Sequence, residues 1–409
     1  MMRRCGLLGQ TLKHSYSPTI HKMFGGDYSY ELFEVAPADL ADFISNGDWH
    51  GLNVTIPYKQ TVMQYCHAFS PTATEIGSVN TIIRRSDGSL YGDNTDAAGF
   101  HTMLSMLPIS SVPVKKALVL GSGGSSLTVC HVLKEAGAQE VIVISRSGSE
   151  NYENLSRHSD AQLIVNTTPV GMYPHTDESP VSLDGFEVLI GVLDIVYNPA
   201  RTRLLMDAAR KGIPYVGGLP MLVGQASAAA KYFAEPNANI APCDVVIKQL
   251  RNQVENIILI GMPGSGKTSV GNLLAKRLGR QFIDIDCEIE KIAGCTIPEI
   301  FERDGEESFR ELETKTLKQW GRESGLIIAT GGGVVTREEN YPHLHQNGKQ
   351  VLLERDIANL DRSGRPLSQG DLQLLYEQRL PLYRRFADFS VKNEGSLQDV
   401  VEQIVELIL

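Results

Sequence analysis

Short apolar runs recur along this chain, and most lead into segments with helical spacing. The runs ALVLG (Ala117–Gly121), EVIVIS (Glu140–Ser145), QLIVN (Gln162–Asn166), NIILIG (Asn256–Gly261) and LIIATG (Leu326–Gly331) are continuous rather than alternating. Continuous runs of that kind suit strands covered on both faces, as in parallel sheets between helices. After two of them come LTVCHVLKEAGA and SVGNLLAKRL, whose apolar positions repeat at helical intervals. The terminal stretch SLQDVVEQIVELIL places Ser396 and Asp399 as an N-cap arrangement before a stripe of Val400, Val401, Ile404, Val405 and Ile408. Strand and helix patterns alternate nearly throughout, which predicts an α/β protein with parallel sheets. LPISSVPVKK (Leu107–Lys116) reads as a junction and AEPNANIAP (Ala234–Pro242) as a loop. The latter leads into a helical CDVVIKQLRNQVE that runs almost directly into NIILI, with no flexible Gly/Ser linker between the halves.

Two of the strand ends carry glycine-rich turns of different kinds. Gly261–Thr268 reads GMPGSGKT, between an apolar run and a helical segment. That is the strand–loop–helix setting of a phosphate-binding P-loop. Backbone amides of Gly264, Ser265 and Gly266 then cradle phosphates, Lys267 reaches the β/γ-phosphates and Thr268 serves Mg²⁺. The other turn, GSGGSS, spans Gly121 to Ser126 and includes Gly123, Gly124 and Ser125. A glycine turn between strand and helix offers amides and a helix N-terminus to a dinucleotide pyrophosphate. Arg146 follows the next strand, where an NAD site would carry an acid, and a cation there suits the 2′-phosphate of NADP.

Polar clusters surround both turns. HSYSP holds Ser15 and Ser17, and NVTIPYK holds Asn53, Thr55 and Lys59. Asn80 lies in VNT, and Asn94 and Asp96 lie in GDNTD. Singly each reads as a turn or cap. Together they supply the hydroxyl, amide, ammonium and carboxylate groups needed to bind a polyhydroxylated acid and move a proton. In the second half, FIDIDCEIE sets Asp284 and Asp286 two apart, and ESFRELE sets Arg310 and Glu313 three apart. By itself that Arg/Glu pair reads as a surface ion pair, and Gly331, Gly332 and Gly333 read as a loop. Arg365 stands in SGRPL and Arg379 in QRLPLYRRFA.

Composition narrows the partners. The chain has 409 residues, room for two or three domains, with 42% hydrophobic and 21% charged residues. A formal charge of −10 argues against a broad nucleic-acid or membrane surface. Six scattered cysteines show no metal-site spacing, so free thiols in a reducing compartment are expected. The N-terminus lacks a signal-peptide core, and no run is long enough to span a bilayer, so the cytoplasm is the expected location. Oligomeric state is not legible.

From about Met1 to Asn252 the chain resembles shikimate dehydrogenase. The motifs HSYSPTIHKMF, GLNVTIPYK, GSVNTI, GDNTDAAGF, GSGGSS, NTTPVGM, GGLPMLVGQA and VIKQL stand in that family's order. The resemblance implies that Ser15, Ser17, Asn53, Thr55, Lys59, Asn80, Asp96, Tyr197 and Gln225 bind shikimate, and that Lys59 and Asp96 transfer the proton. From about Glu255 to Leu409 the P-loop, DID, FRELE, GGG, RPL and RLPLYRR resemble shikimate kinase. That implies Mg²⁺ organised by Asp284, a catalytic Asp286 at the attacking hydroxyl, and the shikimate carboxylate held by Arg310 and Arg379 near Gly331–Gly333. Arg365 would come down on ATP as a lid residue. The implied architecture is a substrate domain over 1–106, completed by 222–252, a Rossmann-like NADP domain over 107–221, and a P-loop kinase domain over 253–409.

The implied function is a bifunctional enzyme that reduces 3-dehydroshikimate with NADPH and phosphorylates shikimate with ATP. Two departures stand out. The stretch from Ser145 to Gln162 is short for the family, implying that an outer βα unit is missing, and Glu150 stands near where a second basic residue is common. The segment between GKQVLLE and GRPL is also short. The alternatives are a ligand sensor with degraded activity, or quinate or NAD specificity in the first half.

Overall fold

The computed structural model describes residues 2–12, 15–109, 113–360 and 372–408. The chain forms two compact units, Met1–Asn198 with Leu204–Leu250, and Pro199–Arg203 with Arg251–Leu409.

The first unit contains two sheets. The first is built from β1 (Arg3–Gly9), β2 (Tyr28–Glu34), β3 (Gly51–Val54), β4 (Ala68–Phe69), β5 (Thr81–Arg84) and β6 (Leu90–Asp93), in the order β2-β1-β3-β5-β6-β4. Its β1, β2 and β3 run parallel, while β5 is antiparallel to both β3 and β6. The second sheet is entirely parallel: β7 (Lys116–Leu120), β8 (Glu140–Ile144), β9 (Leu163–Asn166), β10 (Gly191–Asp194) and β11 (Tyr215–Val216), ordered β11-β10-β9-β7-β8. Along β7, Ala117 and Val119 enter one core and Leu118 and Leu120 another. The continuous apolar run thus reflects burial on both faces. β8 is an edge strand, and a single short 3₁₀ turn (Leu155–His158) lies between it and β9. No further strand extends the sheet beyond β8 among the described residues, as the short sequence there implied.

The helix Asp96–Leu104 crosses the helix Leu219–Phe233 at close range. A Cβ on Gly99 would collide with the Met221 carbonyl, and one on Gly224 would lie 3.0 Å from the Gly99 Cα. Two helices that each carry a pocket residue, Asp96 and Gln225, are thereby drawn together.

In the second unit, β12 (Asn256–Ile260), β13 (Phe282–Asp284), β14 (Ile327–Ala329), β15 (Gly348–Glu354) and β16 (Phe389–Lys392) form a parallel sheet ordered β13-β14-β12-β15-β16. Ile258 and Ile260 face one core, Ile257 and Leu259 the other. The terminal helix Leu397–Ile408 lays Val400, Val401, Ile404 and Ile408 into that second core. Ser396 caps it by accepting the Asp399 amide at 3.2 Å. All six cysteines are free, and no described helix is long and apolar enough to cross a membrane.

The two tryptophans fall one to each unit, Trp49 and Trp320, so each unit carries its own fluorescent reporter. Replacing Gly99 with Ala is expected to destabilise the first unit by about 1–3 kcal/mol through overpacking. Urea melts followed through Trp49 in a Trp320→Phe background check this, and melts followed through Trp320 in a Trp49→Phe background should show the second unit's transition unmoved.

Candidate active sites

In the first unit, nine sequence-selected residues converge on one cavity of about 240 Å³: Ser15, Ser17, Asn53, Thr55, Lys59, Asn80, Asp96, Tyr197 and Gln225. They come from widely separated segments. Asn53 lies on β3, Asn80 precedes β5, and Asp96 opens the helix after β6. The Lys59 ammonium donates to Asp96 Oδ2 at 2.6 Å, with both side chains partly buried. The Asn80 amide donates to the other carboxylate oxygen at 2.9 Å. Asp96 is therefore held from two sides, and the Lys59 charge is fixed at the cavity wall. Tyr197 follows β10 and meets Tyr16 edge-to-face at 5.9 Å, and burial raises its phenol pKa. The Gln225 amide donates to Leu222 O at 3.0 Å. Asn94 points elsewhere. It donates to Ser78 O and Oγ and ties down the loop that carries Asp96.

Behind Asn53 lies an aromatic layer. The His21 ring stacks on Tyr30 at 3.8 Å, and its Nδ1 lies 2.8 Å from Tyr28 Oη. Burial pushes the imidazole pKa down to about 3, against an upward pull from the Asn53 side chain. The ring is neutral in the folded state across the ordinary pH range.

The glycine turn after β7 sits beside β8, where Leu120 pairs with Ile144 and the Gly121 amide donates to Ile144 O at 2.8 Å. Gly121 has φ 104°, and a Cβ there would lie 2.8 Å from Thr168 Cγ2. At Gly123 and Gly124 a Cβ would meet nothing within 4 Å, so the backbone at the start of the helix Gly124–Glu135 is open to an incoming anion. Arg146 is exposed two residues beyond β8, the strand neighbouring that turn. Ser125 is half-buried within the first helical turn. Ser126 is different. It is buried and donates its hydroxyl to Gly123 O at 2.6 Å, so it closes the turn from inside rather than facing a ligand.

In the second unit, Gly264 and Gly266 take φ 82° and 91°, which turns the loop amides inward ahead of the helix Lys267–Leu278. Ser265 is buried within that loop. Lys267 curls back and donates to Gly261 O and Met262 O, both at 2.9 Å. Thr268 donates to Asp284 Oδ2 at 2.7 Å, while Asp284 Oδ1 accepts the Asp286 amide and caps the next helix. A hydroxyl beside a carboxylate is an oxygen donor set that fits Mg²⁺.

Arg310 and Glu313 are not a surface pair: their side chains are 6% and 0% exposed, with Arg310 Nη1 donating to Glu313 Oε2 at 2.8 Å. Burial raises the Glu313 carboxyl pKa, opposed by Arg310, Arg379 and Arg337. For Arg310, burial opposes the charge, and the Glu313 and Glu306 carboxylates outweigh it. The triple glycine has a steric reason. A Cβ on Gly331 would lie 2.9 Å from Asp286 Oδ1, and one on Gly333 would run into the Arg310 guanidinium. Arg379 Nη1 and Tyr383 Oη both donate to Gly332 O. Asp286, Arg310 and Arg379 thus meet around one glycine strip. Arg365 lies outside the described residues.

Some neighbours carried no motif signal. Beside Gly266 a cavity of about 430 Å³ is lined by Ser269, Arg355, Asn359, Asn393, Glu394, Gly395 and Leu397. Asn393 donates to Ser265 O at 2.6 Å and so braces the P-loop. Apart from Ser269, which follows GKT directly, these residues come from segments far from it in sequence.

The chain is similar to known proteins in two parts. Residues 7–82 match the family "Shikimate dehydrogenase substrate binding domain", and residues 263–409 match "Shikimate kinase". The shikimate dehydrogenase (NADP(+)) of Clostridium beijerinckii is 38% identical over 249 residues, covering 56% of this chain and 91% of the relative. The solved shikimate 5-dehydrogenase of Thermus thermophilus, in complex with NADP(H) and shikimate, is 31% identical with TM-score 0.54, covering 61% of this chain and 99% of that one. A quinate dehydrogenase of Corynebacterium glutamicum in complex with NAD is 25% identical with TM-score 0.55, covering 61% and 98%.

Two predictions follow from the burial of charge. His21 has a folded pKa below its unfolded value, so its contribution to stability is present above about pH 6.5 and is lost as pH falls towards 3. First-unit stability should fall by about 1.4 kcal/mol per pH unit in that window from His21 alone, and His21→Phe should remove that share of the slope. In the second unit, Arg310→Met should cost about 3–5 kcal/mol by leaving Glu313 buried without its partner. Arg310→Met with Glu313→Gln should recover most of that loss in melts followed through Trp320.

Proposed function

Because the chain belongs to the shikimate dehydrogenase family and carries a shikimate kinase domain over residues 263–409, we propose that it performs two consecutive reactions on one ring acid. The first is reduction of 3-dehydroshikimate to shikimate with NADPH. The second is transfer of the ATP γ-phosphoryl group to shikimate, giving shikimate 3-phosphate. In this reading residues 1–106, completed by 222–252, hold the first substrate, 107–221 hold NADP(H), and 253–409 form the kinase. The observation that carries it is the Lys59–Asp96 ion pair at 2.6 Å in a cavity walled by hydroxyls and amides.

Reducing a ring ketone requires a hydride at carbon and a proton at oxygen. The Gly121–Gly124 turn would hold NADPH, which would supply the hydride, and Arg146 would meet its 2′-phosphate. Lys59 donates the proton to the developing alkoxide, and Asp96 keeps its ammonium aimed at that oxygen. Ser15, Ser17, Asn53, Thr55, Asn80, Tyr197 and Gln225 bind the hydroxyls and carboxylate, which fixes which face of the ring meets the hydride.

In the kinase, Arg310 and Arg379 grip the shikimate carboxylate beside the Gly331–Gly333 strip. Asp286 accepts the proton of the attacking hydroxyl. Lys267 leaves the loop carbonyls for the β/γ-phosphates, and the amides of Gly264 to Thr268 surround them. Thr268 and Asp284 would hold Mg²⁺, whose charge would offset that of the phosphate oxygens. Arg365 is assigned to the ATP side. A shared product and substrate supports the direction chosen for the first step. The quinate dehydrogenase neighbour motivates the second reading, quinate or NAD specificity in the first half.

Initial rates with shikimate or quinate, each with NADP⁺ or NAD⁺, test the choice, and shikimate with NADP⁺ is expected to give the highest kcat/KM. Lys59→Ala should lower dehydrogenase turnover by about 10²–10⁴-fold, with NADP⁺ KM and kinase activity unchanged. Lys267→Ala should abolish shikimate-dependent ATP consumption and spare the dehydrogenase. A Lys59→Ala chain with full turnover would remove that residue from the proton step.

A further inference from the structure

Beneath the first cavity two threonine hydroxyls, absent from its lining, tie together two amides that line it, Asn53 and Asn80. Thr81 on β5 stands directly opposite Asn53 on β3 in the antiparallel register. Asn53 donates from Nδ2 to Thr81 Oγ1 at 3.1 Å and accepts the Tyr30 hydroxyl on Oδ1 at 2.8 Å. The Thr81 and Thr95 hydroxyls lie 2.9 Å from each other, and each lies 3.1 Å from Asn80 Oδ1. That same oxygen accepts the Thr95 backbone N–H at 2.6 Å. Thr81 is 0% exposed, Thr95 and Asn80 2%, and Asn53 3%, so no bulk water can substitute for a missing partner.

Counting protons settles how these groups face. Each hydroxyl has one proton to give. If Thr95 donates to Thr81, then Thr81 donates to Asn80. If Thr81 donates to Thr95, then Thr95 donates to Asn80. In both cases Asn80 Oδ1 receives one amide proton and one hydroxyl proton. Both of its lone pairs are filled, so the NH₂ group must face the other way, and it donates to Asp96 Oδ1 at 2.9 Å. A flipped Asn80 amide would set two donors against the Thr95 N–H and would withdraw the bond to Asp96. Thr95 precedes the helix Asp96–Leu104 at its N-cap position yet makes no side-chain capping bond there. Its hydroxyl serves the ring instead of the helix end, which normally forgoes about 1 kcal/mol of capping stability.

We propose that Thr81 is a positioning residue of the dehydrogenase site: its hydroxyl, shared with Thr95, sets the facing of the Asn53 and Asn80 amides and, through Asn80, the placement of Asp96. The inference rests on reading Lys59 and Asp96 as the proton-transfer pair. Thr81 touches both amides, so it couples the strand that carries Asn53 to the segment that carries Asp96.

The test uses the full chain with Thr81→Val, Thr95→Val, the double variant and Thr81→Ser. Thr81→Val keeps the shape and removes the hydroxyl. It should lower kcat/KM for shikimate by about 10-fold, because Asn53 Nδ2 then faces a methyl group and the amide is held only by the Tyr30 hydroxyl on Oδ1. Thr95→Val alone should cost less. Either hydroxyl can still serve Asn80, so the double variant should lose about 5-fold or more beyond the product of the two single losses. Thr81→Ser should restore near wild-type values, and NADP⁺ KM should stay constant in all four variants. A role in stability alone would lower the melting transition reported by Trp49 while leaving shikimate KM in place. A double variant that merely multiplies the single effects, a Thr81→Ser as impaired as Thr81→Val, or an NADP⁺ KM that moves in parallel would overturn the inference. If Thr81→Val does not fold, Thr81→Cys, with its weaker hydrogen-bonding thiol, takes its place in the cycle. Lys59→Ala serves as the reference. If Lys59→Ala retains turnover, the proton-transfer reading fails while shikimate KM still reports on the amides. If Lys59→Ala is inactive and the threonine variants behave as wild type, the positioning inference alone falls.

Discussion

Both glycine turns occupy the same kind of place: the carboxyl end of a parallel strand flanked on both sides by later strands. β7 lies between β9 and β8, and β12 between β14 and β15. At such a position the connections from neighbouring strands leave towards opposite faces of the sheet, and a crevice opens. The first helix after the strand then directs its unpaired amides into that crevice. Strand order therefore creates the anion site, and the glycines only make the turn tight enough to use it.

The buried charged groups meet a different requirement. A carboxylate or guanidinium withdrawn from water must be matched, or its burial costs more than its attraction returns. Lys59 and Asp96 are matched by each other and by Asn80. Arg310 and Glu313 are matched within one helix, with Arg379 nearby on another. In both units the polar residues that contact a ligand in the proposed reactions are anchored by buried partners that do not. The threonine pair beneath Asn80 and the Tyr383–Gly332 contact belong to that supporting layer.

Several features are legible in the sequence. The runs ALVL and NIILI coincide with β7 and β12 because strands buried on both faces leave little room for polar residues. GMPGSGKT was legible because so few loops can wrap a phosphate. Spacing alone reads Arg310–Glu313 as a surface pair, since an i,i+3 pair looks the same on a surface helix and a buried one. Its burial depends on the Gly331–Gly333 strip passing over it, and that contact spans residues too distant for local pattern to report. Ser126 shares the glycine turn's motif, and its hydroxyl is turned to the carbonyl of the N-cap residue Gly123, a contact the motif does not report.

The sequence by itself determined the sheet-forming segments, the two glycine turns and the identities of the reactive side chains. Those follow from short-range chemistry: hydrophobic period, backbone freedom at glycine, and which groups can carry charge. Tertiary structure decided which of the polar residues share a cavity, which way each amide faces, and which charges are buried. Amide orientation depends on hydrogen-bond partners supplied by β3, β5 and the start of the helix after β6. Their mutual register exists only once the sheet has formed.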